Sequence, residues 1–171
     1  MQVILALLAA LLYTQVPSQD RLTPPLSTEV VAKAVEAKEA GWEFAPAFCT
    51  CESLFKTQIS HSVGLWERTT QEGERETIQM DIYQVESAKE ASEWMRQRYE
   101  RMESGAICRD EAVPLGDVAY QTSCPDDPRN KIRVTTLITL RRGNYIVQVR
   151  GGNQETVERF ARYALGELPA S

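Results

Sequence analysis

Residues 138–149 read ITLRRGNYIVQV, two apolar-rich runs on either side of Gly143-Asn144. A glycine and an asparagine between two such runs are typical of a two-residue β-hairpin turn. With that turn, Leu140 lies opposite Val147, and the apolar side chains of both strands share one face of the hairpin. The turn and the hydrophobic pattern therefore predict the same register. The two predicted strands are residues 132–140 and 145–150.

A strand followed by a helix is predicted over residues 77–105. Ile78, Met80 and Ile82 alternate with polar residues, which is the pattern of a half-buried strand. Ser87 and Glu90 then have the spacing of a capping box, in which the two side chains satisfy free backbone N–H groups at the start of a helix. The apolar stripe of this helix is Ala91, Trp94, Met95, Tyr99 and Met102, and Gly105 ends it.

The remaining segments complete an α+β pattern. Residues 27–41 predict a helix, residues 53–59, 62–69 and 118–122 predict strands, and a last helix runs from Asn153 to Pro169. Strands joined by hairpins, with helices between them that return to the sheet, favour an antiparallel sheet with helices packed on it. We expect about five to six strands and two to three helices.

The N-terminus predicts export. Residues 3–12 are an unbroken apolar run, too short to span a bilayer but long enough for the apolar region of a signal peptide. Small or modest residues before a cut after Ser18 complete the signal, although no Lys or Arg precedes the run. The alternative is an N-terminal helix packed in the core. We expect a signal peptide over 1–18 and one periplasmic or secreted domain over 19–171, with no membrane span after cleavage.

The chain has four cysteines, Cys49, Cys51, Cys108 and Cys124. In an exported chain of this size they predict two structural disulfides, of which three connectivities are possible. Cys108 could pair with Cys124, whereas a Cys49–Cys51 bond would close a small, strained ring. A zinc site or a redox centre usually has wider spacings within a cysteine pair than the C-x-C found here.

No constellation of catalytic or metal-binding residues is apparent. His61 is the only histidine, and Ser60 and Ser62 beside it point to the opposite face of a strand, so we expect a solvent-facing or hydrogen-bonded histidine. The formal charge of −5 argues against binding to nucleic acid. Neither an EF-hand nor a phosphate-binding glycine motif is present. We therefore expect no catalytic residue, no metal and no cofactor.

An aromatic group is concentrated in the first third of the chain. Its members belong either to the core or to an apolar groove that binds a ligand or partner. The group consists of Trp42, Phe44, Phe48, Phe55 and Trp66.

The runs IQMDIYQVESAKEASEWM, LGDVAYQTSC and LITLRRGNYIVQVRG, with the helix that follows, resemble exported bacterial α+β domains of the sensor or lipoprotein kind. The extracellular sensor domains of mycobacterial serine/threonine kinases are one example. The resemblance covers residues 77–168 and consists of the order of elements rather than a motif. It implies a binding or interaction module and transfers no functional residue.

The function expected from these observations is that of an exported non-enzymatic module that binds a small ligand or a protein of the cell envelope. Two alternatives remain open. One is an extracytoplasmic thiol–disulfide enzyme that uses Cys49 and Cys51, which requires an exposed thiol of lowered pKa. The other is a purely structural protein of the envelope.

Overall fold

The fold is built around one antiparallel β-sheet in a computed structural model, which describes residues 26–47, 55, 57–100, 108–124 and 136–170. Within these residues the sheet has seven strands and is accompanied by three helices. In chain order the elements are α1 (Thr28–Glu36), β1 (Glu43–Ala47), β2 (Gln58–Thr69), β3 (Arg75–Val85), α2 (Ala88–Glu100), β4 (Arg109–Ala112), β5 (Val118–Ser123), β6 (Thr136–Arg142), β7 (Tyr145–Gly151) and α3 (Gln154–Glu167).

The strand order is β1-β2-β3-β7-β6-β5-β4, and every neighbouring pair is antiparallel. The first three strands form one meander and the last four form another. They join where β3 pairs with β7, so the centre of the sheet combines the two halves of the chain. The predicted α+β class with an antiparallel sheet is confirmed.

The predicted hairpin is confirmed in its register. Leu140 pairs with Val147 and Ile138 pairs with Val149, as the sequence pattern requires. Gly143, the first turn residue, has a φ of 56°, whereas no non-glycine residue in the described part of the chain has a positive φ. A positive φ at the first central position alone is the pattern of a type II′ turn, which matches the twist of the strands.

The strand count was underestimated, because β1 and β4 were not predicted. Both are short strands at the two edges of the sheet. β1 contains Pro46, and β4 has the sequence RDEA, so neither shows the alternation of a half-buried strand. The prediction of two strands over 53–59 and 62–69 was also wrong, because a single strand of 12 residues begins at Gln58.

The predicted starts of two helices are confirmed in part. The side chain of Asn153 accepts a hydrogen bond of 3.0 Å from the backbone N–H of Thr156 at the start of α3. The hydroxyl of Ser87 accepts one of 3.2 Å from the backbone N–H of Glu90 at the start of α2. The Glu90 carboxylate accepts a hydrogen bond from the Thr57 hydroxyl just before β2.

One face of the sheet is covered by α1 and α3, and the main hydrophobic core lies there. The buried side chains on this face of the sheet include Trp66, Ile78, Met80, Ile82, Ile138, Leu140, Val147 and Val149. The helices contribute Val31 and Val35 from α1 and Val157, Phe160, Ala161 and Ala164 from α3. Strand alternation explains the division, because every second residue of a strand points to the same face.

Glu39, just after α1, connects the two helices at the rim of this core. Its carboxylate accepts hydrogen bonds of 2.9 Å from Arg159 and from the Tyr163 hydroxyl, both on α3, and one of 3.1 Å from the indole N–H of Trp42. Burial alone would raise the pKa of Glu39, but the three hydrogen bonds outweigh it and lower the pKa. The ionised carboxylate therefore holds α1 against α3.

A disulfide joins Cys108 to Cys124 at the edge of the sheet that β4 forms. The bond lies directly beyond the pair Arg109–Ser123 and so fastens the edge strand β4 to β5. Closing a loop of this length stabilises the fold by about 3 kcal/mol on the loop-entropy estimate. This pairing leaves Cys49 and Cys51 as the partners for any second bridge within the chain, but these two residues lie outside the described part.

The predicted signal peptide also lies outside the described residues. Among the helices that the structure does describe, none is both long enough and apolar enough to span a membrane.

Gly64 should be intolerant of even the smallest side chain. A Cβ atom at this position would lie 2.8 Å from the rings of Phe44 and Trp66 and 2.9 Å from the Cβ of Thr28. We expect Gly64→Ala to lower the free energy of unfolding by about 1–3 kcal/mol, the range for overpacked cores. The measurement is urea unfolding followed by tryptophan fluorescence.

Gly166→Ala is the matched control, because no atom outside its neighbours lies within 4 Å of the added Cβ. Alanine is a better helix former than glycine, so this variant should be as stable as the wild type or more stable by up to about 1 kcal/mol. Equal stability of Gly64→Ala and the wild type would show that the strand and the two rings can separate without cost.

Candidate functional site

The second face of the sheet, which α2 covers in part, is unusually polar at its centre. Here Asp81 of β3 pairs with Gln148 of β7, which in turn pairs with Thr139 of β6. All three residues are buried. Buried polar side chains cost free energy unless they are hydrogen-bonded, so a polar row in the middle of a sheet indicates something other than simple core packing. We call this side of the sheet the α2 face.

Asp81 is the centre of a polar network that we define as Asp81, His61, Gln79 and Arg150. The Asp81 carboxylate accepts hydrogen bonds of 2.8 Å from a terminal nitrogen of Arg150 and 3.1 Å from the side-chain amide of Gln79. Nε2 of His61 lies 3.1 Å from the other carboxylate oxygen of Asp81, and it donates a hydrogen bond to that oxygen when His61 is protonated at Nε2. The four side chains come from three neighbouring strands, and the network thus bridges β2, β3 and β7.

Exposure differs sharply within the Asp81 network. Only 5% of the Asp81 side chain is exposed, compared with 15% for His61 and 36% for Arg150. The carboxylate is therefore enclosed by its own donors, and the Arg150 side chain is the part of the ion pair that meets solvent. The Nε atom of Arg150 is buried and has no hydrogen-bond partner, so the protein does not use all the donors of this side chain.

A row of four residues crosses the α2 face next to Asp81, and we call it the Arg150 row. Leu65 of β2 pairs with Gln79, Gln79 pairs with Arg150, and Arg150 pairs with Leu137 of β6. All four side chains are half-buried. The row thus places an amide and a guanidinium side chain between two leucines.

On the other side of Asp81, the α2 face is packed with aromatic rings. The ring of Tyr83 stacks on His61 at 4.2 Å, and Phe55 contacts both Tyr83 at 5.3 Å and Trp94 of α2 at 5.2 Å. Burial, with the negative charge of Asp81 nearby, raises the pKa of Tyr83 to about 12. Tyr83 therefore stays neutral and can fill the space between α2 and the Asp81 network.

Helix α2 also extends along the same face of the sheet as far as β5. Tyr99, near its C-terminus, stacks on Tyr120 of β5 with ring centroids 3.9 Å apart. Tyr120 pairs with Thr139, which belongs to the central polar row. Burial raises the pKa of Tyr99 as well, although Thr139 and Thr122 oppose that shift. The helix thus packs over one half of the α2 face and over the central row, and the Arg150 row lies on the other side of that row.

Of the five predicted aromatic groove residues, the four that the structure describes are divided between the two faces of the sheet. Trp42, Phe44 and Trp66 pack in the main core, where Trp42 and Trp66 contact Phe160 of α3 at 5.0 and 5.5 Å. Phe55 lies on the α2 face instead. Phe48 lies outside the described residues, as do Cys49 and Cys51.

The structure brings His61 into contact with a carboxylate, which the sequence did not indicate. Asp81 and Arg150 were not singled out, and His61 was expected to be solvent-facing or hydrogen-bonded. The second of these is what the structure shows. The available signal was the presence of polar residues at alternate positions in two strands whose other positions are strongly apolar, a pattern that ordinarily indicates a solvent-exposed face.

No group of three or more metal-ligating side chains converges in the part of the chain that the structure describes. That the protein uses no metal or cofactor stays a prediction. The chain matches no protein-family model and no curated protein. The geometry of the α2 face is therefore the basis for a functional assignment.

Removing the Asp81 carboxylate should destabilise the fold markedly. Asp81→Ala leaves Arg150 without its ion-pair partner and His61 and Gln79 without an acceptor. We expect the free energy of unfolding to fall by about 3 kcal/mol, the lower end of the range for a broken buried ion pair, because Arg150 remains partly solvated. Chemical denaturation at neutral pH measures the change.

Glu158→Ala is the matched control, since it removes an exposed ion pair with Arg162 on α3. Exposed pairs of this kind contribute less than about 1 kcal/mol. If the two variants lost the same stability, the Asp81 network would be no more than a surface ion pair.

Tyr83 should make the protein less stable at high pH. Its pKa of about 12 in the folded state exceeds the usual value of 10, so the unfolded chain releases the Tyr83 proton first. Stability from this group is therefore complete below pH 10 and is lost as the pH rises from 10 towards 12. In Tyr83→Phe, which keeps the stacked ring, the urea midpoint should fall less steeply between pH 9.5 and 11.5. Parallel slopes in the two proteins would contradict the assignment.

Proposed function

We propose that the protein is a non-enzymatic binding module that holds a small ligand against the Arg150 row. The single observation that carries this proposal is the position of Arg150, an arginine with a partly exposed side chain on the central strand β7. Arg150 lies between the apolar side chain of Leu137 on one neighbouring strand and the amide side chain of Gln79 on the other. A side chain needed only for solubility would be more typical of an edge strand or a helix surface.

Preorganisation supports binding at this place. The Asp81 carboxylate fixes one terminal nitrogen of Arg150, and the rigid central strands fix the spacing of the leucines. Side chains that are held in place before binding lose less conformational entropy when a ligand arrives. The Arg150 row also has the mixture of apolar surface and few directed polar groups that characterises small-molecule sites.

We further propose that the module acts outside the cytoplasm, after loss of residues 1–18. The disulfide between Cys108 and Cys124 supports this part of the proposal, because structural disulfides persist mainly in oxidising compartments. Residues 19–171 would then form a single periplasmic or secreted domain.

The binding proposal is tested with a library of small organic fragments, followed by two-dimensional ¹H–¹⁵N NMR of the purified protein. We expect compounds that shift the amide signals of Leu65, Gln79, Leu137 and Arg150 together. Leu137→Gln should weaken binding of these compounds by about tenfold, since it removes apolar contact area of the site.

Val118→Gln serves as the matched control. Val118 is an exposed apolar residue on the same face of the sheet, on β5, and its replacement should leave the affinities unchanged. Equal losses in both variants, or fragment shifts confined to other parts of the fold, would contradict the proposed site. A bound compound that is recovered chemically altered would assign an enzyme instead.

A further inference from the structure

We infer that the ligand of the Arg150 row is a small organic carboxylate, whose negative group pairs with Arg150 and whose apolar part lies over Leu137. This inference rests on the proposed binding function and adds the chemical class of the ligand. It follows from the charge that the α2 face presents and from the spacing of the strands.

The charge presented at the Arg150 row is positive. Asp81 and Arg150 formally neutralise each other, but the Asp81 side chain is only 5% exposed, compared with 36% for the Arg150 side chain. Gln79 and His61 also face the Asp81 oxygens, so the carboxylate is screened by three neighbours. An incoming molecule therefore meets the guanidinium first, and an anion is the complementary group.

The donors of Arg150 are not exhausted within the protein. A guanidinium has five N–H groups, and Asp81 is contacted through one terminal nitrogen only. The Nε atom also has no partner, but it is buried, so the donors left for a ligand are those of the terminal nitrogens. A planar carboxylate matches the fork of a guanidinium and can accept two parallel hydrogen bonds, whereas a neutral group such as an amide offers a single acceptor.

The spacing of the strands defines the size of the ligand. Neighbouring strands are about 4.8 Å apart, so Leu137 lies about one strand spacing from Arg150 on one side and Leu65 about two spacings on the other. A ligand whose carboxylate lies on Arg150 would thus need an apolar part that extends about 5 Å to cover Leu137. Gln79, which lies between Arg150 and Leu65, would contribute a polar edge on the other side.

The test compares 4-phenylbutyrate with its neutral amide, 4-phenylbutyramide, by NMR titration of the wild-type protein. The two probes have the same apolar part and nearly the same shape. We expect the carboxylate to shift the signals of the Arg150 row with an affinity at least about tenfold higher than the amide, because its hydrogen bonds to Arg150 are charge-assisted. Since both titrations use the unmodified protein, the comparison does not depend on the folding of any variant.

Variants then assign the effect to Arg150. Arg150→Gln should abolish the difference between the two probes, and Arg150→Lys should keep part of it, because the lysine retains the charge but not the planar fork. Arg162→Gln is the control on the exposed surface of α3 and should behave as the wild type.

Each outcome separates the inference from the function on which it rests. Equal affinities for the acid and the amide at the Arg150 row would overturn the carboxylate assignment and leave the binding function standing. Displacement of 4-phenylbutyrate by inorganic phosphate at constant ionic strength would also overturn the carboxylate assignment, because it would indicate a site for small anions in general. The binding function would again be left standing. If neither these probes nor the fragment library shifts the row, both the function and the ligand class fall.

Discussion

The pairing of β3 with β7 is the constraint on which the rest of this structure depends. These two strands join the meander β1-β2-β3 to the meander β4-β5-β6-β7, and their register determines what both faces of the sheet contain. Met80 opposite Val149 places apolar residues under α1 and α3. Asp81 opposite Gln148, one residue further, places polar residues on the α2 face. A slip of one residue in this pairing would turn the side chains of one strand to the other face, so that Asp81 and Arg150 would no longer share a face.

The same pairing makes the candidate site possible. Arg150 and Asp81 are 69 residues apart in the chain, and only the central strand pair brings them within hydrogen-bonding distance. The ion pair has two roles that need each other. Asp81 orients the guanidinium, and the guanidinium, with His61 and Gln79, makes the buried carboxylate tolerable. A charge pair of this kind contributes more to the specificity of strand pairing than to net stability, because desolvation offsets much of its attraction.

Local signals in the sequence predicted the β6–β7 hairpin and the β3–α2 unit. They did not predict the order of the strands in the sheet. Leu140 and Val147 specified the hairpin because turn and alternation agree, and Ser87 indicated the start of α2. The edge strands lacked such signals: Pro46 interrupts β1, and β4 is short and charged. The site could not be predicted, since Asp81 and Arg150 sit at alternate positions that resemble any solvent-exposed face. Only the non-local strand order brings Asp81 into contact with Arg150, which lies in the neighbouring row.

The position of β7 has a consequence for how the chain must mature. This strand lies at the centre of the sheet but comes later in the chain than the six other strands. Until it arrives, β3 presents an unpaired edge with alternating apolar residues, and such edges invite pairing with other chains. Assembly of the sheet must wait for the closure of a long loop, which is intrinsically slow. The nascent chain is therefore most vulnerable to aggregation in the interval before β7 becomes available to pair with β3.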